Sequence, residues 1–172
     1  MNVTQKNIRQ KRYRKLNFLR ILGSSAGCFL GIGIIAYITT TTGTVFIMPP
    51  FGATCVIAFV IPKSDFAKPR NIICGHLLSS FVGIICLSYM GTEWWSYAIA
   101  VGMCAAIMQL TRTLHPPAAA DPVLLIMQGN VSLTFLIAPV MLGSCILVLI
   151  AMIYNNLIAK RPFLRDVNYT LK

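Results

Sequence analysis

The sequence has little charge, and acidic residues are its scarcest component. Only 11% of its 172 residues are charged, against about 25% in a typical soluble domain, and only four are acidic. Four acids cannot solvate a globule of this length, and they leave no paired-carboxylate site for acid/base catalysis. Soluble hydrolases and nucleotide-dependent enzymes are therefore excluded. With 56% hydrophobic residues and a mean hydropathy of +0.73, the chain is predicted to be an integral membrane protein, and we do not expect an enzyme.

Metal-ligand and disulfide spacings are also missing. The chain has six cysteines but no CxxC or CxxH motif, and every cysteine falls within an apolar segment. Cysteines in that setting pack as small hydrophobic residues, so we expect no disulfide, no metal and no cofactor. A cleaved signal peptide is not expected either, because only about seven residues separate Arg20 from Cys28, too few for its apolar region.

Long stretches without a formal charge predict the number of membrane segments. A spanning helix needs about 20 mostly apolar residues. The charge-free stretches are 21–62, 71–92, 94–111 and 122–159, with 42, 22, 18 and 38 residues. The first has room for two crossings and the next two hold one each. The last holds the end of a fifth crossing, which begins near Pro116, and a sixth at 131–157. We therefore predict an all-α membrane protein with six transmembrane segments.

The basic residues predict how these segments are oriented, because cytoplasmic loops retain Lys and Arg. With the N-terminus inside and six crossings, all fifteen basic residues fall on the cytoplasmic side. Most lie in a tail at 1–20, in the loop 63–70 and in a tail at 159–172, which leaves 21–158 as the transmembrane domain. We expect both termini in the cytoplasm, in a plasma membrane or bacterial inner membrane. The net charge of +11 then serves topology and contact with anionic lipid rather than nucleic acid.

The second and fifth segments are each interrupted by a Pro-Pro pair. The sequences are MPPFGATCVIAFVIP at 48–62 and HPPAAADPVLLIMQ at 115–128, and the pairs Pro49-Pro50 and Pro116-Pro117 are 67 positions apart. Proline lacks an N–H group and its backbone is pre-set for a first helical turn, so each pair is expected to begin a helix. The apolar run that follows is about 12 residues, or about 18 Å, which makes a half-helix against a hydrocarbon core of about 30 Å.

The two interruptions predict an internal repeat with halves at about 21–91 and 92–158. Each half has three crossings, and an odd number sets the halves in opposite orientations, so the half-helix N-termini point inward from opposite faces. Transporters build midplane sites from discontinuous helices in this way. The partial positive charge and the N–H groups of a helix N-terminus attract an anion. Beyond the prolines the similarity is thin: Gly75 matches Gly143 only after a one-residue shift, which sets His76 against Ser144.

Two stretches resemble a known family. PFGATCVIAFVIPKSDFAKPRNIICGHLLSSFVGI at 50–84 and LTRTLHPPAAADP at 110–122 are similar to the HPP family of integral membrane proteins, named for the His-Pro-Pro that is 115–117 here. The resemblance covers about residues 20–157. Plant members are implicated in moving nitrite across the plastid envelope, so the resemblance implies transport of a small anion. Family sequences often have Gly after HPPA, where this chain has Ala119, which narrows the space left for an ion.

The candidate site residues are those of the Pro-Pro segments and the few ionisable groups near them. The residues assigned to substrate binding are Pro50, Phe51, Gly52, Ala53, Thr54, His115, Pro116, Pro117, Ala118 and Ala119. Small residues allow close approach to backbone N–H groups, and threonine can donate its hydroxyl. The residues assigned to a proton relay or to the pathway are His76, Arg112 and Asp121. An ionisable group inside a membrane segment is functional by default, because burying it is costly.

Each assignment has a structural alternative. The Pro-Pro pairs can be kinks at packed helix boundaries. His115 can bond to the backbone where a helix begins, His76 can bond between helices, and Arg112 can extend to the inner interface. Asp121 opposes the field of an anion site, so it can pair with Arg112 or His76, carry a proton or mark a cation pathway.

The predicted function is passage of a small monovalent anion, nitrite first, held between the two half-helix N-termini. Proton coupling is favoured because His76, His115 and Asp121 offer protonation sites. We expect a homodimer, since six short segments form a thin bundle, with the anion and bilayer lipid as the other partners. The alternatives are a cation carrier that uses Asp121 and a membrane-anchored sensor or assembly subunit. An intramembrane enzyme has no support from HExxH, GxSxG or paired aspartates.

Overall fold

The computed structural model describes the backbone of residues 3–159 and the side chains of residues 18–159. These residues form six α-helices: α1 (Val3–Thr42), α2 (Pro49–Val60), α3 (Pro69–Met90), α4 (Trp94–Leu110), α5 (Asp121–Gln128) and α6 (Gly143–Ile153). The shorter elements are 3-10 helices at Asp65–Ala67, Pro116–Ala120 and Leu133–Leu136, and π-helical turns at Ile137–Leu142 and Tyr154–Ile158. No β-strand occurs among the described residues, which confirms the predicted all-α class. The predicted tail 159–172 lies outside them, apart from Ala159.

Three described segments are long and apolar enough to cross a membrane: Phe18–Thr42, Pro69–Met90 and Leu133–Ile158, with 25, 22 and 26 residues. They match the first, third and sixth predicted crossings. The other helices are shorter, because α2 has 12 residues, α4 has 17 and α5 has 8. Outside the three long segments, the two shortest helices are α2 and α5, which contain or follow the Pro-Pro pairs. The interruptions therefore coincide with helices too short to span a bilayer alone.

Helix α3 lies at the centre of the packing. It contacts α4, α5, α6 and the 3-10 helix Pro116–Ala120, while α1 packs on α2 and α6. The close approach depends on glycine: a Cβ at Gly83 would lie 2.7 Å from Cα of Pro122, and one at Gly27 would lie 2.5 Å from the Phe59 ring. Small residues allow helices in membranes to pack at this distance. A side chain at either position would push α5 or α2 away.

Two clusters of buried apolar residues make up the core of the described part of the chain. The larger is formed mainly by α1, α2 and α6 and includes Phe51 and Leu147. The smaller is formed by α3, α4 and the second Pro-Pro segment and includes Met108 and Ala118. Helix α2 also contacts the 3-10 helix Pro116–Ala120, so the two Pro-Pro segments meet in the interior of the chain.

Helix α4 ends in a backbone motif that fixes the approach to the second Pro-Pro segment. The N–H of Thr113 donates to the Met108 carbonyl at 2.9 Å, and the N–H of Arg112 donates to the Gln109 carbonyl at 3.1 Å. This is the hydrogen-bond pattern of a Schellman motif. Arg112 has a φ of 55°, in the left-handed region that favours glycine at this position. The chain therefore turns sharply after α4 and leads directly into His115.

Candidate functional site

The two Pro-Pro segments begin with the same hydrogen bond. In the first segment the N–H of Phe51 donates to the Met48 carbonyl at 3.0 Å, and in the second the N–H of Ala118 donates to the His115 carbonyl, also at 3.0 Å. Prolines have no N–H group, so the first three residues of each segment have no free backbone donor. Any attraction of an anion to these N-termini must therefore come from later residues or from side chains.

The second Pro-Pro segment differs from the first in helix type. Helix α2 is α-helical from Pro49 onwards, whereas Pro116–Ala120 is a 3-10 helix and α5 begins only at Asp121. The sequence predicts one half-helix of about 12 residues in both places, which the second segment does not form. Pro122 accounts for the difference, because without an N–H it cannot donate to the Ala118 carbonyl four residues earlier, as an α-helix would require.

A buried polar cluster joins the two segments through one hydroxyl. Oγ1 of Thr54 lies 2.9 Å from Nε2 of His76 and 2.9 Å from Nε2 of His115. All three side chains are fully buried. Thr54 lies on α2 and His76 on α3, while His115 directly precedes Pro116. The two imidazole rings are T-shaped, with centroids 5.1 Å apart.

Asp121 lies on the opposite side of the His76 ring from Thr54. Nδ1 of His76 is 2.8 Å from Oδ2 of Asp121, which also accepts a hydrogen bond from the Ser80 hydroxyl at 3.2 Å. Asp121 is 1% exposed, and it is the first residue of α5, where the helix dipole favours a carboxylate. Its other oxygen, Oδ1, is buried and has no hydrogen-bond partner among the described residues. We call Thr54, His76, Ser80, His115 and Asp121 the Thr54 cluster.

The hydrogen bonds of the Thr54 cluster restrict where its protons can lie. Nδ1 of His115 lies 2.7 Å from the Phe66 carbonyl and must donate to it, which leaves Nε2 of a neutral His115 as an acceptor. Nδ1 of His76 likewise donates to the Asp121 carboxylate. With both imidazoles neutral and Asp121 ionised, two nitrogen lone pairs would face one threonine hydroxyl that has a single proton.

One additional proton satisfies both histidine contacts of Thr54; the longer contact of the hydroxyl with the Pro50 carbonyl, at 3.2 Å, then receives no proton. Nε2 of His76 then donates to the Thr54 oxygen, and the Thr54 hydroxyl donates to Nε2 of His115. His76 is now an imidazolium paired with the Asp121 carboxylate, so the pair is neutral overall. The cluster holds the same number of protons if Asp121 is protonated and donates to Nδ1 of His76, while a neutral His76 keeps its proton on Nε2. Either form avoids an unpaired buried charge, which would cost several kcal/mol.

Two loops at one end of the molecule hold His115 in place. Arg70, at the start of α3, donates to the Thr111 carbonyl at 3.0 Å. Asn71 donates to the Asp65 carbonyl at 2.9 Å and to the Leu114 carbonyl at 3.3 Å. The KPRN stretch that begins α3 therefore connects the loop before it to the loop after α4. These bonds hold the Phe66 carbonyl, which accepts from His115, against the residues that lead into the second Pro-Pro segment.

Comparison with known proteins identifies the family. Residues 13–163 match the model of the HPP transmembrane region. The chain belongs to this family. Two transmembrane proteins of Dictyostelium discoideum are similar to it: one is 37% identical over 120 residues, 66% of this chain and 42% of the relative. The other is 32% identical over 146 residues, 78% of this chain and 47% of the relative. This HPP chain spans less than half the length of these curated relatives, and no solved structure matches it.

Membership of the HPP family establishes an integral membrane protein and agrees with the apolar segments of the fold. The His-Pro-Pro motif of this HPP protein supplies His115 to the Thr54 cluster. Two other residues proposed from the sequence, His76 and Asp121, form the buried pair. Pairing with His76 was one of the alternatives open for Asp121, and the structure adopts it.

The residues assigned to substrate binding divide into a buried and an exposed set. Within the Pro-Pro segments the buried residues are Pro50, Phe51, Thr54, His115, Pro117 and Ala118. Ala119 is half-buried, while Gly52, Ala53 and Pro116 are exposed on the protomer surface. Phe51 packs edge to face on His76, with ring centroids 5.0 Å apart. The buried set therefore surrounds the Thr54 cluster, and the three exposed residues lie away from it.

Arg112 is exposed at the end of α4 and forms no ion pair with Asp121 among the described residues. Sequence reasoning missed Ser80 and the Phe66 carbonyl as members of the polar network. The signal for Ser80 was present, since it lies four residues after His76 and so on the same face of α3. No comparable signal identifies a backbone carbonyl in a loop.

Proposed function

We propose that this HPP protein carries a small monovalent anion, nitrite first, together with a proton through the Thr54 cluster, and that it acts as a transporter rather than an enzyme. The observation that carries the proposal is the buried junction at Thr54, where side chains from both Pro-Pro segments meet a His–Asp pair. Ionisable groups buried at membrane depth mark ion pathways and proton relays.

Charge balance supports coupling of the anion to a proton. With its single additional proton the cluster is neutral, and its Asp121 carboxylate repels an incoming anion. A buried anion without a counter-charge would cost many kcal/mol. Protonation of His115 would supply that counter-charge and would turn its Nε2 from an acceptor into a donor. We therefore propose that the anion binds on the His115 side of Thr54, away from Asp121.

Internal symmetry supports an inverted repeat around this site. The offset of 67 positions that relates the Pro-Pro pairs also relates Thr54 to Asp121, and these two residues bond to the two nitrogens of His76. Two glycines make matching contacts. A Cβ at Gly75 would lie 3.2 Å from the Thr113 carbonyl oxygen, and one at Gly143 would lie 2.8 Å from the Phe46 carbonyl oxygen.

Those glycine contacts are reciprocal between the halves. Gly75, in the first half, packs on the segment leading to the second Pro-Pro pair, and Gly143, in the second half, packs on the segment leading to the first. Phe46 and Thr113 are themselves 67 positions apart. Reciprocal contacts of this kind are what a two-fold relation between the halves produces, and inverted halves related in this way enclose the sites of secondary transporters.

The proposed topology keeps six crossings with both termini in the cytoplasm and a homodimer in a plasma or bacterial inner membrane. The bond from Arg70 to the Thr111 carbonyl brings the basic loop 63–70 and Arg112 to the same end of the bundle, as the positive-inside rule requires of both. His115 bonds to the Phe66 carbonyl of that loop. The cluster is therefore proposed to open first toward the cytoplasm.

The test is nitrite uptake into proteoliposomes that contain the purified protein, with and without an imposed pH gradient. We expect protein-dependent uptake that an inward proton gradient accelerates, and its loss in the variant His115→Gln. Tyr89→Phe is the matched control, because Tyr89 is 85% exposed on α3 and outside the cluster. Folded protein that carries none of nitrite, nitrate, formate or chloride would refute anion transport and favour a scaffold or sensor subunit.

A second candidate, a proton-linked cation carrier, is favoured by the unpartnered Oδ1 of Asp121. A buried carboxylate oxygen with no donor is a ligand available to a cation. The variant Asp121→Asn separates the two proposals, because it keeps the shape of the side chain and removes its charge. A cation carrier loses its flux in this variant, whereas the anion carrier keeps nitrite uptake and loses its response to the proton gradient.

A further inference from the structure

We propose that the Thr54 hydroxyl is a proton switch that moves one proton between His76 and His115 and so turns the anion site on and off. The inference rests on the proposed anion function for its purpose. Its physical basis is the hydrogen-bond geometry of the cluster alone. It assigns Thr54 a relay role in addition to the substrate contact expected from the sequence.

The geometry at Thr54 gives the hydroxyl two competing arrangements between the two histidines. Its Oγ1 atom is equidistant from Nε2 of His76 and Nε2 of His115, at 2.9 Å from each, and 3.2 Å from the Pro50 carbonyl. A hydroxyl has one proton to donate and two lone pairs to accept with. It can therefore accept from one histidine and donate to the other, and the two directions are opposite states of the same network.

The transfer between the states is balanced. The Nε2–H bond of His76 breaks as its proton forms a new O–H bond on Thr54, and the original O–H bond of Thr54 breaks as its proton bonds to Nε2 of His115. The hydroxyl is restored with its direction reversed. His76 becomes neutral, and His115 becomes an imidazolium whose Nδ1–H still donates to the Phe66 carbonyl. No other reactant is consumed.

The switch relocates a positive charge toward the second Pro-Pro segment. In the first state the charge on His76 is neutralised by Asp121, 2.8 Å away. In the second state the charge lies on His115, next to Pro116. The Asp121 carboxylate keeps its hydrogen bonds from His76 and Ser80 but no longer has a positive charge beside it. Separating these charges in a dry interior is unfavourable, so the second state persists only when an anion binds beside His115. Anion binding and proton movement are coupled for that reason.

Few other ionisable groups border the cluster. Among the described residues, the elements that carry or contact the cluster also hold the thiols of Cys55 on α2, Cys74 on α3 and Cys104 on α4, and Arg70 and Arg112 are exposed at the ends of α3 and α4. At the end of the bundle near Phe66, the Asp65 carboxylate is paired with Lys68 at 2.6 Å. The charge carried by the cluster itself is therefore set by His76, His115 and Asp121.

The test measures where the proton lies, independently of transport. The full chain, labelled with 15N-histidine and reconstituted in lipid nanodiscs, is studied by NMR at neutral pH, with the two rings assigned by His76→Gln and His115→Gln. We expect His76 to be protonated on both ring nitrogens and His115 to be neutral with its proton on Nδ1. Added nitrite is expected to exchange these signatures. A resting His76 that has no proton on Nε2, or signatures that nitrite does not change in a protein that transports it, would overturn the proposal.

Two variants at one position separate a switch from a packing role. Thr54→Val keeps the shape and removes the hydroxyl, and Thr54→Ser keeps the hydroxyl and removes a methyl group. We expect Thr54→Val to lower proton-coupled nitrite uptake by about 100-fold and to abolish the nitrite-induced exchange of histidine signatures. Thr54→Ser is expected to retain both, with uptake within about threefold of the natural protein.

The outcomes distinguish failure of the switch from failure of the proposed function. Proton-coupled uptake that survives in Thr54→Val refutes the switch and leaves the transport proposal intact. The natural protein can also carry no anion while its resting histidine signatures are as expected and differ in Thr54→Val. That result refutes the transport proposal and supports the relay geometry. If Thr54→Val does not fold, as judged by gel filtration, the resting protonation of the natural protein still decides the question.

Discussion

Replacing Gly75 with alanine is predicted to force apart the packing that holds His115 in the cluster. A Cβ at this position would lie 2.8 Å from Cβ of His115 and 3.2 Å from the backbone oxygen of Thr113. Neither neighbour is the free end of a flexible side chain, so α3 and the loop before the second Pro-Pro pair must separate by several tenths of an ångström. Inserting an extra methyl group into a packed interior costs about 1–3 kcal/mol.

A matched control removes the effect of helix propensity from this measurement. Gly102 lies in the middle of α4 and is exposed, and a Cβ at this position would meet no neighbouring atom within 4 Å. Alanine stabilises a helix interior by about 0.5–1 kcal/mol relative to glycine, and this gain is common to both variants. The difference in unfolding free energy between Gly102→Ala and Gly75→Ala therefore reports the packing cost, and it should be about 1–3 kcal/mol.

The assay is equilibrium unfolding of the two variants in the same detergent micelles, followed by nitrite uptake after reconstitution. Gly75→Ala is expected to unfold at lower denaturant concentration and to carry less nitrite, since His115 is displaced from Thr54. Gly102→Ala is expected to be at least as stable as the natural protein. Equal stability of the two variants would show that Gly75 is not at a close contact and would refute the packing described here.

Three further predictions follow from other parts of the chain. Arg112→Gly should raise the unfolding free energy by up to about 1 kcal/mol without loss of nitrite uptake, because glycine relieves the left-handed φ; a loss of uptake would instead place the arginine in the pathway. Asn155→Ala should lower the unfolding free energy by about 1–3 kcal/mol, because Asn155 Nδ2 donates to the Ala58 carbonyl at 3.0 Å in a buried setting, and equal stability would exclude that role. A membrane-permeant maleimide should label Cys145, which is exposed on the protomer surface of the membrane segment Leu133–Ile158, faster than the buried Cys55, as mass spectrometry in detergent would show; equally fast labelling of Cys55 would mean that α2 opens.

The course of the chain could be predicted from local features of the sequence. Charge-free length and the prolines are features of short stretches of sequence. They correctly predicted three long apolar segments and the start of α2 at Pro49. The second Pro-Pro segment was less predictable. Pro122 cannot donate a hydrogen bond to the Ala118 carbonyl, so the residues before it, Pro116–Ala120, form a 3-10 helix instead of the start of an α-helix. That effect is also local, so the spacing of the three prolines contained the signal for it.

The cluster itself depends on contacts that a single sequence does not contain. His76 and His115 were candidates because an ionisable group in an apolar segment is costly, but their meeting at Thr54 spans separations of 22 and 61 residues. Burial of three polar side chains is only tolerable when they satisfy one another, and this requirement explains the result without predicting which residues are involved. The exposure of Gly52 and Ala53 could not be foreseen either, because all sides of a short apolar helix look alike in sequence.

The π-helical turn at Ile137–Leu142 bears on how the two halves compare in length. Gly75 follows Pro50 by 25 positions, whereas Gly143 follows Pro117 by 26. A π turn is the form in which a helix takes up a surplus residue without breaking, and this one ends immediately before Gly143. The wider turn thus compensates for a length mismatch, so that Gly143 still reaches the backbone of Phe46. A shortened chain lacking one residue of that turn should retain the glycine contact and lose the bulge.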